Sequence, residues 1–308
     1  ALSMSFRPAC SAPPAARDAL ALGVRAAHAA DTTLDIVVVR HAENATPPQD
    51  GFTRYLEATI DTWLAKAGDK ARATLGDDHV RVHQRLAEST AQGLFDAASD
   101  LGSEVIFVGG AKDGLRGRLA LSSLASVLVH ASPVAVALAP RKSRKLHLAG
   151  ISRISVGIEP GHLGPVARHA LALAQQCGAP LRLVSLAIPD AGEPTNHSAP
   201  GVLDGVTVDH VSATGSSVAE ALASVQWQAE ELLVLGSSRM AAQGRLFLGT
   251  TAGRIVREVP VPVVVVPAET WASLQVANVG PGHHIARSTM IGTLLVDSTM
   301  AETSAFAS

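Results

Sequence analysis

Residues 108–140 read VGGAKDGLRGRLALSSLASVLVHASPVAVALAP, and residues 235–267 read LGSSRMAAQGRLFLGTTAGRIVREVPVPVVVVP. The two stretches align without a gap at a constant offset of 127 residues. Gly109 meets Gly236, Gly117-Arg118-Leu119 meets Gly244-Arg245-Leu246, Ser122-Ser123 meets Gly249-Thr250, Pro133 meets Pro260 and Pro140 meets Pro267. Agreement at this density marks an internal duplication, and a duplicated unit decides the fold before any single motif does.

Outward from the duplicated stretch, each copy alternates apolar runs of strand length with segments of helical period. In the first copy, 34–39, 80–85, 105–108 and 134–138 read as strands, and 15–30, 53–66 and 88–99 as helices. In the second, 154–158, 181–186, 206–211, 232–235 and 261–266 read as strands, and 165–176, 217–226 and 250–258 as helices. The copies differ at 189–204, which is rich in Pro, Gly, Asn and Ser and reads as a loop. Strands alternating with helices predict an α/β fold, with a parallel sheet covered on both faces and wound by right-handed crossovers in a flavodoxin-like order. The expected organisation is a first domain at 1–142, a linker at 143–151, a second domain at 152–268 and a C-terminal extension at 269–308. Within that extension 290–296 has strand character, and Val296-Asp297-Ser298-Thr299 faintly resembles the start of a further copy.

A chain of 308 residues accommodates two such domains without disulfides or metal. Hydrophobic residues make up 47% and charged residues 17%, which excludes a disordered chain; aromatics at 3% leave the core to Ala, Val and Leu. A net charge of −2 offers no broad basic surface, so nucleic acid is not expected as a partner. The basic run Arg141-Lys142-Ser143-Arg144-Lys145 reads as a solvated linker. Cys10 and Cys177 occupy positions that do not correspond between the copies, which fits free thiols in a reducing compartment. No apolar run is long enough to span a membrane, and the first residues lack the regions of a signal peptide. A cytoplasmic location is therefore expected.

In such sheets ligands sit outside the carboxyl ends of the strands. The duplicated stretch puts Gly236 at a strand end, then Ser237 and a loop that runs to Gly249-Thr250-Thr251, where a helix starts. Glycine admits close backbone approach, the helix start offers N–H groups to an anion, and hydroxyls add donors. This suits a phosphate chain. The same residues also fit a purely structural reading, in which the glycines end strands and Thr250 caps a helix.

At these residues the chain resembles the universal stress protein family, whose motif is Gly, two residues, Gly, nine residues, Gly, then Ser or Thr. The second copy reads Gly236, two residues, Arg239, nine residues, Gly249, Thr250. The first reads Gly109, two residues, Lys112, nine residues, Ser122, Ser123. The resemblance covers about 3–140 and 152–267. It implies two tandem adenine nucleotide alpha hydrolase-like domains, each a five-stranded parallel sheet with helices on both faces. It further implies an ATP site without turnover, better preserved in the second copy, and dimerisation, either as a homodimer or as a pseudo-dimer of the two halves. Members that bind ATP carry an Asp closing the first strand. Here that neighbourhood holds Arg7-Pro8 in the first copy and Glu159-Pro160 in the second, where Glu159 offers a longer carboxylate. Arg239 stands where the motif has glycine, and reaches a phosphate or remains a solvated loop charge. The last strands of the two copies, 134–138 and 261–266, are apolar edges that need covering.

Three other signals compete. Arg40-His41-Ala42-Glu43 resembles the signature of histidine phosphatases, but lies at the end of a second strand. His79 and His83 have metal spacing on a helix, yet 80–85 reads as strand and predicts exposed histidines. His283-His284 has no ligand set nearby. No catalytic base and no metal site are expected. The alternatives to a nucleotide-binding stress protein are a nucleotide-free interaction scaffold and an ATP-hydrolysing or phosphatase-like enzyme.

Overall fold

Proline at the first turn, where no N–H is required, starts an alanine-rich helix, α1 (Pro14–Ala29), whose small residues allow close approach to a sheet. The computed structural model describes residues 12–41, 51–110, 119–145, 150–158, 164–188, 201–238, 241, 244–267 and 289–293. In the first half α1 is followed by β1 (Thr33–His41), α2 (Gly51–Leu75), β2 (Val80–Ala87), α3 (Thr90–Leu101), β3 (Ser103–Gly109), α4 (Ser123–Ala131) and β4 (Ala135–Ala139). The second half runs β5 (Arg153–Ile158), α5 (Pro165–Cys177), β6 (Leu181–Ala187), β7 (Gly201–Leu203), β8 (Val206–Thr214), α6 (Val218–Ala223), β9 (Glu231–Gly236), α7 (Thr250–Glu258) and β10 (Val263–Val266). A last strand, β11, covers Thr289–Thr293.

The eleven strands among the described residues form one sheet in the order β2-β1-β11-β3-β4-β10-β9-β5-β6-β8-β7. Neighbours are parallel except at β4–β10 and β7–β8. The fold is the α/β, flavodoxin-like arrangement expected, because apolar strands buried on both faces require helices above and below. Leu34, Ile36 and Val38 of β1 join the core layer under α1, α2 and α5. Val37 and Val39 join the opposite layer under α3, α4, α6 and α7. The apolar edges β4 and β10 cover one another, with Val263 opposite Leu138 and Val265 opposite Val136. Among the described residues no helix is long and apolar enough to cross a membrane.

The structure differs from the sequence reading at three places. The fifth strand of the first half comes from neither its own repeat nor its start. It is β11, in parallel register with β1 (Ile36 opposite Gly292) on one side and β3 (Phe107 opposite Gly292) on the other. That is the place β5 takes between β6 and β9 in the second half. An uncharged Thr-Met-Ile-Gly-Thr segment suits a position between two buried strands better than it suits a solvated extension. Residues 296–299, which resemble a repeat start, lie outside the described residues, as do residues 1–11 with Cys10, Arg7 and Pro8.

The loop reading at 189–204 ends in a hairpin. Asp204 (φ 48) and Gly205 (φ 83) turn β7 back onto β8, and both occupy the left-handed region that an Asp-Gly turn favours. The basic run after β4 is not a solvated linker. Asp18, buried in α1, accepts the backbone N–H groups of Lys142 and Arg144, both at 2.9 Å, and the Arg144 guanidinium at 2.8 Å. A buried carboxylate without donors is costly, so it clamps the chain that leaves β4 onto α1.

Candidate functional site

The site lies on the rim formed by the carboxyl ends of β9, β10 and β5. Val156 sits opposite Val234 and Val266 opposite Gly236 in parallel register, so these strands finish at one level. Gly236 ends β9 beside the first turn of α5. A Cβ added there would lie 3.4 Å from Cβ of Val166, an ordinary contact. The Ser237 N–H donates to the Val266 carbonyl at 2.8 Å, and the Ser238 N–H to the Phe247 carbonyl at 2.8 Å. The Ser237 hydroxyl accepts from the Phe247 N–H at 2.8 Å and donates to its carbonyl at 3.3 Å. The loop therefore folds back on itself and delivers Gly249 beside Ser238, where an added Cβ would lie 3.4 Å from that of Ser238.

Gly249 is the N-cap of α7 and has no side chain to cap it. The first intrahelical bond runs from the Gly253 N–H to the Gly249 carbonyl at 2.8 Å. The N–H groups of Thr250, Thr251 and Ala252 precede that bond and face out of the helix start. The side chains of Thr250 and Thr251 are exposed there. Such an end carries partial positive charge and free donors, which is what an anion requires.

The first half is built the same way but ends differently. The Gly110 N–H donates to the Ala139 carbonyl at 3.1 Å, at the offset of the Ser237–Val266 bond. Here Ser122 is the N-cap, and its hydroxyl accepts the Ala125 N–H at 3.2 Å, so the helix start is capped from within. Ser123, the first residue of α4, is exposed. Gly109 is pressed against α1, where an added Cβ would fall 2.1 Å from the Ala15 carbonyl oxygen. Its glycine is needed for helix–strand packing whether or not a ligand is present.

The structure thus brings Gly236, Ser237, Gly249, Thr250 and Thr251 to one rim and Gly109, Ser122 and Ser123 to another. Glu159, Arg239 and Lys112 lie outside the described residues. Those side chains of the competing signals that are described make intramolecular contacts. Arg40 lines a cleft of about 280 Å³ with Glu57, Ile60, Asp61 and Gln84, and its guanidinium is held by Glu57 at 2.7 Å. His83 is not an exposed strand histidine. Its Nε2 lies 2.6 Å from the buried Asp35 carboxylate, which also receives Arg81 through two bonds of 2.8 Å. His79 belongs to a short 3-10 turn instead of the strand. Among the described residues no group of three or more His, Cys, Asp and Glu could hold a metal ion. His283-His284 and Glu43 lie outside the described residues.

Two features were not foreseen. The Gly-Arg-Leu triplet shared by the copies carries a seam between them. The Arg245 guanidinium donates to the Ala131 carbonyl at 2.8 Å, and the Leu246 N–H to the Ser132 carbonyl at 2.9 Å. The Phe247 ring meets His130 edge-on at 5.3 Å between centroids. The candidate loop of the second half therefore rests on α4 of the first. At the amino ends of the same strands, across the sheet from the rim, fully buried Glu231 accepts from the Arg182 guanidinium, the Ser155 hydroxyl and, at 3.0 Å, the Gln228 N–H. A lone Arg within the strand Leu181-Arg182-Leu183-Val184 was the available signal, since a charge in a strand buried on both faces needs a partner.

A profile of the Universal stress protein family matches residues 201–267. Universal stress proteins of Mycobacterium bovis and Mycobacterium tuberculosis are each 31% identical to this chain, covering 81% of it and 94% of the relative. Among solved structures, a universal stress protein from Archaeoglobus fulgidus superposes with a TM-score of 0.53 at 14% identity, covering 82% of this chain and 93% of that one. That structural likeness speaks to fold.

Proposed function

Because the chain belongs to the universal stress protein family, we propose that it is a stress-response protein that works by binding and not by turnover, with ATP held on the rim of its second half. One observation carries the choice of half. The helix start at Gly249 has no side-chain cap, whereas its counterpart at Ser122 is capped by its own hydroxyl. Glycine backbone, the Thr250 and Thr251 hydroxyls and a helix dipole hold phosphate without activating water, which supports binding without hydrolysis. The mutual covering of β4 and β10, with the Arg245 and Leu246 bonds, supports a pseudo-dimer of the two halves within one chain.

Calorimetric titration with ATP tests this reading. Saturable binding at one site is expected, lost in Gly249→Val and kept in Ser122→Gly. Nucleotide released by denaturing the bound complex should be intact ATP. Absence of binding at millimolar ATP would overturn the reading in favour of a nucleotide-free scaffold, and steady release of ADP would overturn the non-catalytic role.

A further inference from the structure

We propose that the gap between β1 and β3 is a strand-acceptor site, and that residues 289–293 are its removable ligand, supplied by the chain's own far end. Apart from α2 and the hairpin strand β7, the two halves correspond: α1 and β1 to α5 and β6, β2 to β8, and β3 and β4 to β9 and β10. In the second half the central place is filled by β5, the strand that feeds directly into α5. In the first half the same place is filled by β11, which follows β10 only through residues 267–288.

The acceptor is built for a strand and for little else. Ile36, Val37 and Val38 of β1, and Ile106, Phe107 and Val108 of β3, are buried on both faces. An empty gap would leave two rows of backbone N–H and C=O groups in the protein interior with nothing to bond. Backbone pairing on two flanks gives an inserted strand its affinity, as in recognition by strand addition. β11 meets that demand, with parallel register on both sides from Thr289 to Gly292. Its alignment on β3 steps from Thr289–Ser103 to Met290–Val105, an irregularity that fixes where the segment enters. The sequence Thr-Met-Ile-Gly-Thr carries neither charge nor proline, so nothing in it opposes an interior position.

The test uses the full chain with a specific protease site placed within 268–288. After cleavage, the C-terminal fragment should remain bound through native size exclusion. It should be replaced by an excess of labelled synthetic peptide of residues 286–299. The same peptide with Ile291→Pro, which removes a ladder donor, should not replace it. Hydrogen exchange along β1 and β3 should stay slow while the site is filled and, when the fragment is removed, accelerate at the alternate amides that face the gap, one of Ile36 and Val37 and one of Ile106 and Phe107. Loss of the fragment with those amides still protected overturns the proposal. So does a retained fragment that no excess of peptide displaces, or equal replacement by the proline peptide.

Discussion

Replacing Glu231 with leucine leaves the Arg182 guanidinium buried and stripped of its counter-charge. In the native protein Arg182 also donates to the Ser155 hydroxyl and the Gln226 carbonyl, each at 3.1 Å, and lies 5.3 Å from the centroid of the Trp227 ring. None of these partners is an anion. Breaking a buried ion pair from one side costs about 3–5 kcal/mol. The Gln228 N–H loses its 3.0 Å acceptor as well, a further ~1 kcal/mol. Against a typical total of about 5–15 kcal/mol, that is a large fraction. Urea unfolding followed by tryptophan fluorescence reads the loss, and Trp227 reports on the site directly. The double variant Arg182→Leu with Glu231→Leu should be more stable than the Glu231→Leu single one, because it strands only the partly exposed Arg153, which lies 3.9 Å from Glu231, and not the buried Arg182. A Glu231→Leu cost below about 1 kcal/mol, or a double variant that costs the sum of the two singles, would refute the reasoning.

The two rim glycines should respond unequally to alanine. Gly109→Ala drives a Cβ into the Ala15 backbone and should cost about 1–3 kcal/mol, whereas Gly236→Ala makes an ordinary contact with Val166; thermal melting of the two variants checks the difference. Burial lowers the His169 pKa, opposed by its bond to the Pro165 carbonyl and assisted by Arg168. The unfolded chain therefore binds the proton first as pH falls through about 6.5, so this contribution to stability is complete above that pH and declines below it. The urea midpoint of the wild type relative to His169→Gln should shrink between pH 7.5 and pH 5.5; a growing difference would reverse the sign and sink the assignment. The Cys177 thiol is pushed up to about 11 by burial, so iodoacetamide at pH 8 should label it far more slowly in the folded protein than in urea, read by peptide mass. Equal rates in the two states would place it at the surface.

The duplication was legible because it is local and periodic. The offset that aligns the two loops also aligns their backbone bonds: Ser126 to Ser122 at 2.9 Å and Gly253 to Gly249 at 2.8 Å. Strand and helix positions followed from apolar runs and period, and the rim glycines from their place at strand ends. What escaped was non-local. Asp18 and Glu231 are ordinary carboxylates in the sequence, and only the folded chain brings Arg144 or Arg182 to them. The Asp204-Gly205 turn was visible but was submerged in a loop-like context. The strand at 289–293 could not be assigned to the first half from periodicity, since its partners β1 and β3 lie at the other end of the chain. Arg245 and Leu246 were seen to repeat, but a repeat records correspondence and not contact.

The antiparallel seam between β4 and β10 has a directional consequence. Apart from the short hairpin strand β7, each half is internally parallel, so reversal at the seam sends the two sets of carboxyl ends to opposite ends of the strands. The uncapped loop at Gly249 and the self-capped loop at Ser122 therefore face away from each other, and one small molecule cannot bridge them. Instead, the loop at Gly249 stands over the foot of α4 through Arg245, Leu246 and Phe247. The rim of the second half is thus buttressed by the base of the first, and any strain placed on the loop at Gly249 bears on α4 across the seam.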